Sequence, residues 1–242
     1  MNQIEITYIF HNCFILKWER QTFLFDYPAD QYLTEPMRKT VISTVKDTDL
    51  SIFSSHNHPD HFNRNITSLN TYCRKVTYIL SKDILKKNRQ LLELPCCITA
   101  GPDQVLQTDC LEITTFRSND QGVAFLIKLA GLFIYFGGDL ANWHWDELTK
   151  AEEKLLVNYF REVLTKLQSW PISIAFSNTD PRLKNWAGAA QFIETIKPKL
   201  FVPMHTFGET NKLSQFIVEN PNLPSRIFIY RDTGDKISLE VN

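Results

Sequence analysis

No apolar run in the sequence approaches the roughly 18 residues of a membrane-crossing helix, so no spanning segment is expected. Charge of either sign is not in excess. The 26 Lys and Arg stand against 27 Asp and Glu, and there is neither a long basic run nor an acidic tail. That balance points away from nucleic acid and toward a small-molecule partner. The opening Met1-Asn2-Gln3-Ile4-Glu5 lacks the basic and apolar regions of a signal peptide, and a cytoplasmic location is expected. Cysteine is sparse and badly spaced for a metal knuckle. Cys13, Cys73, Cys96, Cys97 and Cys110 are odd in number and contain no CxxC, and the adjacent pair cannot bridge without strain. Free thiols in a reducing compartment are the expectation. Repeats and Gly-, Ser- or Pro-rich linkers are also missing, so residues 1–242 read as one domain, with its oligomeric state not legible.

What is present is an ordinary globular balance, 43% hydrophobic and 22% charged. Short strands are predicted at 4–10, 13–18 and 22–26, with Glu19-Arg20-Gln21 as a hairpin turn. Strands follow at 50–53 and 76–80, then a helix over 82–92 closed by Pro95. Segments 104–106, 111–116, 123–129 and 132–136 read as an antiparallel set, its last two strands joined at Ala130-Gly131. Leu148, Leu155, Leu156, Tyr159, Val163 and Leu167 recur at helical spacing and predict the longest helix over 145–168. Beyond Pro171, strands at 172–176, 200–202, 226–230 and 236–241 alternate with helices at 188–196 and 211–218. Segments 27–48, 140–150 and 177–190 read as loops. Two mixed sheets face to face, with helices outside, would bury such an α/β pattern.

The chemistry concentrates in Ser54-Ser55-His56-Asn57-His58-Pro59-Asp60-His61. Three of the chain's six histidines fall within six positions, directly after an apolar strand. Imidazole and carboxylate together suit a divalent cation, and one tight turn lets all four side chains converge on one point or two adjacent points. Two later pieces have related character: Phe136-Gly137-Gly138-Asp139 at a strand end, and Val202-Pro203-Met204-His205. Read alone, Asp139 is a ligand or a turn aspartate, and His205 a ligand or a buried hydrogen-bonded histidine.

The first run is HxHxDH, and with Gly-Asp and strand-His following in that order the chain resembles the metallo-β-lactamase superfamily. The opening Ile6-Thr7-Tyr8-Ile9-Phe10-His11-Asn12-Cys13-Phe14, with Phe25-Asp26, resembles its ascorbate-6-phosphate lactonase-like and N-acylphosphatidylethanolamine phospholipase D-like branch. The resemblance implies an αββα sandwich of two mixed sheets and two adjacent metal positions. One would use His56, His58 and a third histidine. The other would use Asp60, His61 and His205, with Asp139 bridging. The implied activity is a metal-dependent hydrolase that activates water to cleave an ester, lactone or phosphodiester, with Asp60 and Asp139 at the chemistry. Its implied cofactor is one or two divalent ions, zinc foremost and manganese or iron as alternatives.

The third histidine belongs after the predicted strand 111–116, where the chain reads Arg117-Ser118-Asn119-Asp120-Gln121. Three readings stay open. Asp120 substitutes as an oxygen ligand, which favours Mn, Fe or Mg there. His144, in Asn142-Trp143-His144-Trp145, supplies the imidazole. Or the position is weak or empty, leaving one ion. The last keeps open a catalytically degenerate metal-binding protein of the same fold, and an iron redox protein is a further alternative. His11 reads as a group behind the ligands, a substrate contact or a satisfied strand-end histidine, and Asp26 as a group that orients a ligand histidine or a simple turn residue. Asp180 and Arg182 read as contacts to a polar or anionic substrate, or as a structural ion pair.

Overall fold

The computed structural model describes residues 3–240, so Val241 of the predicted strand 236–241 and the opening Met1-Asn2 lie outside the described residues. The chain divides into two compact units, Gly101–Ile229 and the remainder on either side of it. Each is built on a seven-stranded mixed sheet.

In the first unit, β1 (Gln3–Phe10), β2 (Cys13–Trp18) and β3 (Gln21–Phe25) run antiparallel, and the chain's last strand, Lys236–Glu240, pairs with β1. At β3 the sheet changes character. The next strands, β4 (Asp49–Ser54), β5 (Lys75–Ser81) and β6 (Cys97–Ala100), follow in parallel. Parallel neighbours need crossovers. These carry α1 (Glu35–Val45) and α2 (Lys82–Lys87), whose Val41, Val45, Ile84 and Leu85 pack with Ile15, Leu24, Ile52 and Leu80 of the strands. The alternating residues Phe14, Phe23, Phe25 and Phe53 are buried as well, so both faces of the sheet are apolar.

The second unit repeats the plan. An antiparallel set, β7 (Val105–Gln107), β8 (Glu112–Arg117), β9 (Val123–Leu129) and β10 (Leu132–Phe136), opens at β10 into parallel β11 (Ile172–Asn178), β12 (Leu200–Met204) and β13 (Arg226–Ile227). The crossovers carry α3 (Lys150–Leu167), α4 (Ala189–Ile196) and α5 (Leu213–Glu219). Phe160, Val163, Phe192 and Phe216 of these helices pack with Tyr135, Ala175 and Phe201 of the sheet.

Several boundaries differ from the sequence reading, each for a local reason. Segment 27–48 holds α1, started by Thr34 as cap and Pro36 in the first turn. Only Val41 and Val45 of α1 are buried, too narrow a stripe to show as a period. The helix over 82–92 breaks at Asn88 into α2 and a tight turn, Arg89–Glu93. The long helix starts at Lys150 because Thr149 and Glu152 form a reciprocal cap there. Strand 226–230 shortens to Arg226–Ile227, and four-residue β6 was not foreseen.

Candidate metal centre

Candidate ligands follow the C-terminal ends of the strands where each sheet turns parallel, the edge at which α/β sheets collect ligands. In the first unit Asp26 follows β3 and is wholly buried. Its Oδ1 accepts the Ser55 backbone N–H at 2.7 Å, and its Oδ2 accepts the Ser55 hydroxyl at 2.7 Å and Nδ1–H of His61 at 2.8 Å. The single hydroxyl proton of Ser55 is thereby committed to Asp26. Its oxygen, 2.9 Å from Nδ1 of His56, is left to accept that N–H. One carboxylate therefore sets two imidazole tautomers, each leaving Nε2 with its lone pair.

The histidine loop is held from outside. Asp83 accepts the Asn57 N–H at 2.9 Å, Asn88 donates to the Asn57 side chain at 3.0 Å, and His61 N–H closes a turn onto the His58 carbonyl at 3.0 Å. Nε2 of His56 lies 3.0 Å from Nδ1 of His58. Asp60 Oδ2 lies 3.5 Å from Nε2 of His61 and 3.4 Å from Nε2 of His11. Burial by itself raises the Asp60 pKa, but His11 and His61 outweigh it and hold the carboxyl well below the usual range. For Asp26 burial wins, and its pKa sits above 3.8 despite His61 and Ser55.

In the second unit the Gly137-Gly138 turn, with Gly138 at φ +52°, delivers Asp139. Asn178 donates to the Gly138 carbonyl at 2.8 Å and the Trp143 indole to the Asp139 carbonyl at 3.0 Å. His205 follows β12. Its Nδ1–H donates to Asp180 at 3.0 Å, and its Nε2 lies 3.5 Å from Asp139 Oδ1. Asp180 has no exposure and also takes the Arg182 guanidinium on both oxygens. Burial opposes its charge, yet Arg182 and His205 keep its carboxyl far below the usual range.

The loop that lacks a histidine is clamped. The Asn119 side chain accepts the Ala141 N–H at 3.1 Å and donates to the Ala141 carbonyl at 2.7 Å. Asp120 beside it has a carboxylate oxygen within 4.8 Å of Asp139's. His144 stands elsewhere, with Nδ1 paired to Glu153 and Nε2 3.0 Å from Asn142 Oδ1. Of the two substitute ligands, the structure brings Asp120 to Asp139 and not His144.

In each unit, imidazoles of fixed tautomer stand beside carboxylate oxygens, a donor set that fits a divalent cation. His11, Asp26 and His205 all have positive φ (+51°, +40° and +66°), a strain of about 1–3 kcal/mol each that concentrates at functional sites. Sequence reading missed the joint role of Ser55, the Asn119 clamp, and Asp180 as the orienter of His205. Only strand register shows the last. Asn178 pairs with Met204, which sets the residues that follow side by side.

Residues 5–205 match the model of the Beta-lactamase superfamily domain. Among solved structures, the metallo hydrolase Igni18 from the hyperthermophilic archaeon Ignicoccus hospitalis aligns over 99% of this chain and 100% of its own, at 15% identity and a TM-score of 0.67. The metallo-beta-lactamase fold protein YhfI from Bacillus subtilis aligns over 98% of this chain and 100% of its own, at 12% identity and 0.65. Human tRNase Z, short form, aligns over 96% and 98%, at 11% identity and 0.53. At these identities the likeness is one of fold. A tRNase on the same fold also removes balanced charge as a ground for excluding nucleic acid. No curated protein matches the chain in sequence.

Proposed function

The chain belongs to the Beta-lactamase superfamily domain family, and on that premise we propose that it is a metal-dependent hydrolase cleaving an ester, lactone or phosphodiester in a small-molecule substrate. The observation that carries this reading is the pair of carboxylate–imidazole couples, Asp26–His61 and Asp180–His205, each leaving Nε2 beside a second carboxylate. Buried ion pairs add little net stability, whereas a carboxylate behind a ligating histidine fixes its tautomer and raises its basicity. The proposed ligands are His56, His58, Asp60 and His61 in the first unit and Asp120, Asp139 and His205 in the second. Imidazole and carboxylate donors in such a mixture suit zinc, with manganese or iron as alternatives. When bound, the ions supply Lewis acidity to a water molecule and to the electrophile.

The chain's own residues do the rest. Asp26 and Asp180 hold the tautomers, and Asp60 stays ionised beside His61. Arg182 lies 5.1 Å from the Trp145 ring and 4.6 Å from the Phe207 ring, and with Trp145, Glu153 and Lys184 it lines a groove of about 610 Å³. That groove supports placing the polar end of a substrate there. The family match runs across both units, which supports one domain, and the free cysteines support a cytoplasmic location.

The test is metal content by plasma emission on protein purified without chelator, then turnover of ester, lactone and phosphodiester substrates with zinc, manganese and iron. Two equivalents are expected, falling to one in Asp120→Ala and unchanged in His144→Ala, with turnover lost in His58→Ala. Bound metal without turnover of any class would favour the catalytically inert reading instead. Absence of metal binding would defeat both.

A further inference from the structure

We infer that His11 is itself a metal ligand, joining Asp60 and His61 in a three-donor group carried wholly by the first unit. The inference rests on the metal-dependent reading above.

His11 and Asn12 form the two-residue turn between β1 and β2, where Phe10 pairs with Cys13. The tip of a hairpin is ordinarily its most solvated part. Here both residues are 0% exposed. His11 also holds φ +51° in a place where glycine or asparagine would be at ease. Neither burial nor backbone preference calls for an imidazole at this point.

Nε2 of His11 and Nε2 of His61 lie 3.4 and 3.5 Å from the same oxygen, Asp60 Oδ2. A charge-assisted hydrogen bond from imidazole to carboxylate closes to about 2.7–2.9 Å. The opposite edge of the His61 ring shows one, its Nδ1 standing 2.8 Å from Asp26. Two donors on one ion with bonds of about 2.0–2.1 Å stand roughly 2.9–3.5 Å apart in four- to six-coordinate sets. The two long separations fall within that spacing and outside that of a charge-assisted hydrogen bond. The rings of His11 and His61 have centroids 5.1 Å apart and stand at 75°, so neither blocks the other's approach to a shared centre.

A third donor from this unit makes the Asp60–His61 position the tighter one, in contrast to the position where Asp120 replaces an imidazole. Glutamine at position 11 keeps an N–H that can bond Asp60 but loses the ring nitrogen, so His11→Gln separates ligation from positioning. With one equivalent of zinc on the full chain, X-ray absorption should count one imidazole fewer per metal in the variant. Zinc affinity should fall by more than about 100-fold, beyond the roughly 10–100-fold that loss of an outer partner costs. An unchanged imidazole count would overturn the inference and leave the hydrolase reading standing. Failure of the wild-type protein to bind zinc would overturn that reading too. Should the variant not fold, as judged by circular dichroism, the wild-type protein with ¹⁵N-histidine decides. Nε2 of His11 must shift to a metal-bound resonance as zinc is added, and an unmoved signal overturns the assignment.

Discussion

Asp26→Asn exchanges one buried oxygen for an amide nitrogen and should separate metal affinity from fold stability. The carboxylate accepts from three donors: the Ser55 N–H, the Ser55 hydroxyl and His61 Nδ1–H. An asparagine must keep its oxygen toward the Ser55 N–H, because that donor cannot reverse. A flipped amide would set two buried N–H groups against each other, at about 1–3 kcal/mol for the unsatisfied donor. The amide NH₂ therefore takes the Oδ2 position and donates. His61 can accept only by moving its proton to Nε2. Ser55, now accepting, turns its own proton toward His56 Nδ1, and that ring changes tautomer as well. Two imidazoles lose the nitrogen a metal needs. At roughly 10–100-fold per disturbed outer partner, zinc affinity should drop about 10²–10⁴-fold. Stability moves far less. Charge-assisted bonds of about 1.5–3 kcal/mol are weakened, but a carboxylate whose charge is opposed by burial is removed with them. The metal-free Asn protein should stay within about 1 kcal/mol of wild type, while Asp26→Ala, with three buried donors left over, should lose about 3 kcal/mol or more. Urea unfolding and zinc competition against a chromophoric chelator measure both quantities. Wild-type zinc affinity in the Asn variant would refute the tautomer reasoning.

Three further outcomes follow from the same geometry. On metal-free protein, Asp180 titrates below 3.8, so the unfolded chain binds more protons there and stability falls as pH drops through that value; Asp180→Asn should flatten this acid limb in urea titrations. Asp26 has the opposite sign, since the folded chain holds its proton above 3.8, and Asp26→Asn should steepen the limb; identical limbs in all three proteins would refute the assignment. Arg182→Ala should cost about 1–2 kcal/mol, less than a buried pair because the guanidinium side chain is 43% exposed, and Arg182→Lys should not restore it, since an ammonium cannot grip both oxygens; a loss within error in urea unfolding would show the pair to be idle. Gly188→Ala places a Cβ 2.5 Å from the Asn142 Cβ at φ +84°, a penalty of about 2–4 kcal/mol from backbone and overpacking together, and should lower the melting temperature by roughly 4–15 °C in calorimetry.

The sequence was most informative where one short segment carries the whole signal. His56, His58, Asp60 and His61 sit within one turn, and apolar alternation marked most strands, because both features are local. What it could not show was the partner of each ligand. Asp26 reaches His61 across 35 positions, and Asp180 reaches His205 across 25, through strand neighbours that only the register brings level. The α1 helix escaped for a different reason, since two buried valines make too faint a stripe. His144 drew attention by lying next to Trp143 and Trp145, yet its ring belongs to Glu153 and Asn142.

The two sheets share a plan although no repeat is visible in the residues. In each unit the strand that turns the sheet from antiparallel to parallel is followed by an aspartate, Asp26 after β3 and Asp139 shortly after β10. The two do different work. Asp26 is buried behind His61 and shaped to accept three donors, so its environment selects a residue that orients. Asp139 faces His205 Nε2 at 3.5 Å, and the carbonyls of Gly138 and Asp139 are held by Asn178 and Trp143. The orienting task in the second unit passes one strand onward, to Asp180 after β11.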